Sequence, residues 1–126
     1  IQIGQTSGAG MPAGRAIASS VDVAETADQI VVSCDVPGVD KEDIKIDIKN
    51  NVLTIRGERK NKIERSGSSD DYQYHHQEIQ FGGFERSFVL PDQVDPSSAV
   101  AEHKNGVLTV RINKIEGKEP IRVPIQ

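Results

Sequence analysis

The sequence has no tryptophan, only three phenylalanines and two tyrosines, one methionine and one cysteine in 126 residues. With so few rings, a core must be assembled from Ile, Val and Leu, which suits close-packed sheets better than an aromatic-lined cofactor pocket. The lone Cys34 excludes an intrachain disulfide and fits a reducing compartment. Long apolar runs are missing too. Nothing approaches the ~20 residues a membrane helix needs, and no secretory core segment is present, so a cytoplasmic chain without stable membrane insertion is expected. The formal net charge is -4, with acids and bases interspersed. That leaves no basic stripe for a nucleic acid to follow.

The motifs of chemistry are missing as well. There is no P-loop, no Gly-rich nucleotide turn and no Gly-x-Ser-x-Gly elbow, so neither enzymatic activity nor a cofactor is expected. His75 and His76 are adjacent, which on a strand sends them to opposite faces and away from a shared ion. Asp40, Asp43 and Asp47 lack the alternating ligands, central Gly and late Glu of a calcium loop. No metal site is expected.

What the chain does contain is a repeat. Lys49-Asn50-Asn51-Val52-Leu53-Thr54-Ile55-Arg56 returns as Lys104-Asn105-Gly106-Val107-Leu108-Thr109-Val110-Arg111. Asn-Asn and Asn-Gly tolerate the positive φ of a tight type I′ turn, and β-branched residues follow each, so each copy predicts a hairpin. Two copies favour two sheets of one sandwich over a solenoid. At this length the chain makes one domain.

Taken in order, residues 1–19 are rich in Gly, Ala and Ser without a period, and are expected to form a flexible arm. Its scattered apolar residues are either a disordered terminus or contacts for another chain. Val21 and Val23 alternate with polar neighbours, and Ile30, Val32, Cys34 and Val36 share one face of the next run. Cys34 therefore falls in the core; the rival reading, a reactive thiol, lacks a basic helper nearby. Pro37-Gly38 ends that strand, and Asp40 to Asp43 predicts a polar or single helical turn. Ile44, Ile46 and Ile48 then alternate with charge, either as a half-buried surface strand or as the wall of a groove that something else fills.

Residues 60–83 form a connection far longer than the usual ~4 to 6 residues. Its end, Tyr72 to Phe81, has strand composition but no obvious neighbour in its own sheet. A strand on a tether is what a chain needs to pair with a partner's edge. Beyond Gly82-Gly83, Phe84, Arg86, Phe88 and Leu90 share parity, and an arginine on that face calls for a carboxylate. The tail, 114–126, is a polar spacer followed by Ile121-Arg122-Val123-Pro124-Ile125. Pro124 cannot donate to a ladder, so the tail reads as an edge or docked peptide, or as a segment folded back on its own domain.

With these pieces in place, the chain resembles the small heat-shock proteins of the alpha-crystallin family over residues 20–126. The resemblance rests on Asp35-Val-Pro-Gly-Val39, Leu53-Thr-Ile-Arg-Gly-Glu58, Phe84-x-Arg86-x-x-x-Leu90-Pro91 and Ala101-x-x-x-Asn105-Gly106-Val107-Leu108. It implies an all-β, immunoglobulin-like antiparallel sandwich over 20–113. It also implies a homodimer made by exchanging the tethered strand, through Tyr72, Tyr74, His76, Glu78, Ile79 and Phe81 with Arg86, as in the bacterial, archaeal and plant branch. Where such proteins often carry Glu-Arg before the glycine, this chain has Glu78-Ile79-Gln80-Phe81-Gly82. The tail resembles the family's Ile/Val-x-Ile/Val anchor, in two registers, through Ile121, Val123 and Ile125. Its implied socket is a groove of Ile44, Ile46, Ile48, Val100, Val107 and Leu108, between the isoleucine strand and the one at Ser98 to His103. The implied activity is that of an ATP-independent chaperone that assembles into larger oligomers and holds unfolding client proteins. The alternative is a monomeric co-chaperone-like module that binds one folded partner.

Overall fold

Two four-stranded antiparallel sheets face one another across an aliphatic core. The computed structural model describes residues 5–6 (backbone only), 17, 19–62, 72–115 and 123–126. Its strands are β1 (Gln5–Thr6), β2 (Val21–Glu25), β3 (Gln29–Asp35), β4 (Ile44–Lys49), β5 (Val52–Arg59), β6 (Gly82–Val89), β7 (Val100–Lys104) and β8 (Val107–Asn113). One sheet has the order β1-β6-β5-β4 and the other β2-β3-β8-β7.

Both repeats are hairpins, for the reason the turn residues give. Asn50 and Asn51 hold φ at 51 and 61, and Asn105 and Gly106 at 54 and 75, so each turn has positive φ at both central positions. The turns set the register: Ile46 lies opposite Ile55 in β4–β5, and Ala101 opposite Val110 in β7–β8. Gly106 lies against Pro37, where a Cβ would make van der Waals contact with the Pro37 Cα at 3.4 Å, so its positive φ rather than crowding favours glycine. The Val36 N–H donates to the Gly106 carbonyl at 2.7 Å.

Alternation then fills the core. Ile30, Val32 and Cys34 from β3 meet Leu53 and Ile55 from β5, Phe84 from β6, and Leu108, Val110 and Ile112 from β8, all of them buried. The face of Ile30, Val32, Cys34 and Val36 is the one the sequence implies. Lys41–Asp43 forms a single 3-10 turn that delivers the chain into β4. At the far end, the Lys114 ammonium pairs with Glu25 and holds its carboxyl below the usual range. That support is present above the ordinary carboxylate pKa and is lost as pH falls through the lowered one.

The arm does more than its aperiodic sequence implies. Gln5–Thr6 pairs with β6 at Ser87 and Phe88, and Ile17 is buried in the core cluster with its N–H donating to the Gly83 carbonyl at 2.9 Å. The described parts of residues 1–19 thus lie against the sandwich.

Gly57 marks a close approach of β5 to the Phe84 ring and to the turn before β4. A Cβ at this position would sit 2.7 Å from the Phe84 ring and 2.9 Å from the Asp43 carbonyl oxygen, and the oxygen belongs to backbone. Gly57→Ala is expected to lower the unfolding free energy by about 1–3 kcal/mol, read from the midpoint of urea denaturation at unchanged slope. A midpoint equal to the parent's would show that the β5–β6 pair yields without cost.

Candidate functional site

One side of the sandwich leaves apolar side chains of both sheets facing an unfilled space. β4 and β7 are the edge strands of their sheets, and the space between them stays open. The opening is an apolar groove of about 530 Å³. Ile46 and Ile48 line it from β4, and Val100, Ala101 and Val110 from the other sheet. Pro96, Ser97 and Ala99 line it from the 3-10 turn at Pro96–Ser98 and its exit. Asp95 caps that turn: one carboxylate oxygen accepts from the Ser97 N–H at 3.0 Å and from the Ser97 hydroxyl at 2.6 Å. Ser98 Oγ in turn accepts the Asn113 N–H at 2.8 Å, so the groove's lower lip is tied to β8.

Of the groove residues expected from sequence, Ile46, Ile48 and Val100 line the groove. Val100 stands 62% exposed. Ile44 begins the same strand and packs against the core without being part of the lining. Leu108 is buried in the core between Cys34 and His103 of the neighbouring strands, and Val107 takes the opposite parity, so neither reaches the groove. Strand geometry explains the difference: Val110, two residues past Leu108 on the same face, lies opposite Ala101, whose small side chain leaves the space open. Pro96, Ser97 and Ala99 carry no motif, and Ala101 enters only as the first residue of the motif that ends at Leu108. The one available signal was the small-x-small spacing of Ala99 and Ala101.

The tethered segment lies apart from the groove. Among the described residues, Tyr72 to Phe81 forms no strand. Tyr72 and Tyr74 are exposed and Ile79 is 68% exposed, a high value for isoleucine. The Tyr74 hydroxyl accepts from the Asn61 side-chain amide at 2.7 Å, and His76 contacts Glu78 at 2.8 Å. Phe81 lies under the Arg59 guanidinium, 5.9 Å from its ring centre. Arg86 turns inward. Its Nη1 donates to the Ser19 carbonyl at 2.6 Å, and its guanidinium stands 5.5 Å from the Phe88 ring centre. A backbone carbonyl is thus one of the partners of this arginine.

In the tail, Val123 and Ile125 are 77% and 99% exposed, while Ile121 lies outside the described residues. No cluster of three or more metal-ligating side chains occurs among the described residues. No described helix is long and apolar enough to cross a membrane.

Comparison with known proteins places this geometry in context. The profile described as the Hsp20/alpha crystallin family matches residues 22–126. The 22.0 kDa heat shock protein of Arabidopsis thaliana is 42% identical over 96 residues, which are 75% of this chain and 47% of that protein. Small heat shock protein C4 of Rickettsia felis is 34% identical over 104 residues, 82% of this chain and 61% of the relative. The chain therefore spans about half the length of the plant relatives it matches. Among solved structures, a small heat-shock protein from Xylella fastidiosa superposes with a TM-score of 0.70 at 32% identity, covering 87% of this chain and 97% of that one. Heat shock protein 16.0 from Schizosaccharomyces pombe gives 0.68 at 31% identity, covering 86% and 77%.

Cys34 shows how the core excludes chemistry. Burial, with the Asp35 carboxylate beside it, pushes the thiol up to about 11, although the Arg86 charge pulls the other way. A thiol held protonated in the folded chain contributes stability in full below its ordinary pKa of 9.0 and loses it as pH rises towards about 11. Labelling of native Cys34 by a thiol reagent is expected to stay slow at pH 8 and to become fast on unfolding in urea. Fast labelling of the native chain would mean that the core opens at β3.

Proposed function

This chain belongs to the Hsp20/alpha-crystallin family, which implies a chaperone role, and we propose that it works as an ATP-independent holdase that self-assembles and captures unfolding proteins. The observation that carries the reading is the apolar groove between β4 and β7, open along its length in a chain that also bears spaced, exposed aliphatic residues in its tail. The tail residues Ile121, Val123 and Ile125 fit such a groove on another copy. The segment Tyr72 to Phe81, with strand composition and no strand partner among the described residues, fits the edge of a neighbour's sheet, with β2 the free edge opposite β7.

Magnitudes set the character of the assembly. Burying one aliphatic side chain yields roughly 1.5–3 kcal/mol, so two tail residues give a few kcal/mol before ordering costs are subtracted. One tail binds weakly, and many on one particle hold it together while each exchanges. Warming then frees grooves and tails, and the same apolar surface meets partly unfolded chains. No nucleotide is needed, because capture is driven by apolar burial. These contacts fit a cytoplasmic chain acting on other proteins, without a nucleic acid or a bilayer.

The test measures particle size by light scattering beside suppression of a model protein's heat aggregation without ATP. Removing residues 121–126 is expected to reduce the assembly towards dimers, and unchanged size would refute the anchor. Val100→Glu places charge on the exposed groove rim at little cost to the core, and should weaken tail docking about fivefold to fiftyfold. A parent chain that is monomeric at every concentration would favour the single-partner module instead.

A further inference from the structure

The long connection between β5 and β6 leaves and re-enters the sandwich at one place, gripped there by three cations. Arg59, the last residue of β5, donates from Nε to the Gln80 carbonyl at 2.6 Å, with Nη2 on the same oxygen, and from Nη1 to the Pro37 carbonyl at 3.2 Å. Its stem passes over Gly38, where a Cβ would meet the Arg59 Cδ at 3.1 Å. One residue on, Lys60 pairs with Asp43 at 2.8 Å in a partly covered setting, with side-chain exposures of 31% and 17%. Lys62 pairs with Asp40 at 2.9 Å. The departing end of the connection, its returning end at Gln80 and the Pro37–Asp43 loop are thus bound together.

We infer that Arg59, Lys60 and Lys62, closed on Pro37, Asp40 and Asp43, form an ionic clasp that fixes the direction in which segment 60–81 leaves its own sandwich. The clasp thereby governs how fast that segment enters and leaves a partner copy. The inference rests on the strand-exchange reading given above. A tether with a fixed root searches less space than one swinging freely, so part of the ordering cost of association is met before the partner arrives. Single exposed ion pairs contribute little. Here the Arg59 fork is spread over two carbonyls of different segments, and the two lysines address the same short turn, so the contacts restrict one another. The pairs are at the surface and weaken with salt. Asp40 makes no side-chain capping bond to the 3-10 turn, so its charge can be removed without unmaking the turn.

The experiment mixes donor- and acceptor-labelled copies of the full chain and follows subunit exchange at low and high salt, for the parent and for Asp40→Asn with Asp43→Asn. Hydrogen exchange at 72–81 and the thermal midpoint are read alongside. The neutralised variant is expected to exchange about threefold to tenfold faster at low salt, to lose the parent's acceleration by salt, and to keep the parent's midpoint. Reversing one pair, Asp40→Lys with Lys62→Asp, should bring the rate back towards the parent's, which a merely structural role for Asp40 would not do. If the 72–81 amides are protected on assembly while neutralisation leaves rate and salt dependence unchanged, the clasp is refuted and strand exchange stands. Unprotected amides in an assembled parent refute strand exchange, and the clasp with it.

Discussion

Everything in this molecule hangs on four residues held at positive φ: Asn50, Asn51, Asn105 and Gly106. Two-residue turns leave no slack, so each hairpin has one register, and a slip by a single residue would send its core face into water. Because β4 and β7 are the leading strands of the two hairpins and the edge strands of their sheets, the same turns decide which side chains look into the space between them. The groove is therefore a product of register. Ile46 and Ile48 border it where the opposing sheet offers Ala101 between Val100 and Val110.

Pro37-Gly38 links this framework to the tethered segment. On one side it packs against Gly106, and on the other it receives Arg59. The chain then makes its 3-10 turn and enters β4. The loop that receives the root of the long connection, at Pro37, Asp40 and Asp43, thus runs directly into the strand that carries the isoleucine wall of the groove.

How much of this was legible in the sequence depended on the range of the interaction. Turn residues and period-two alternation act over a few positions, and they placed both hairpins, the face of Ile30, Val32 and Cys34, and the isoleucine strand. The groove was only partly legible. Parity identifies Leu108 and Val110 as inward-facing, and the two-residue turn sets Val110 opposite Ala101, but which of them borders open space and which is covered depends on how the two sheets stack. Arm contacts were illegible for a different reason: Ile17 and the two residues of β1 are too few to show a period. Arg59 belongs to no motif, and its partners at Pro37 and Gln80 are backbone carbonyls, which carry no residue-specific signal.

The outer faces of the sheets carry a consequence for how copies can meet. Across one sheet run Asp47, Thr54 and Ser87 in register, with the Thr54 and Ser87 hydroxyls hydrogen-bonded at 3.1 Å and the Arg56–Glu85 pair beside them. Across the other run Asp22, Ser33, Thr109 and Glu102. Both rows are polar, whereas the apolar groove and β2 lie at the edges of the sheets. Under the proposed assembly through groove and strand edge, copies would meet rim to rim, and these polar rows would not have to be desolvated.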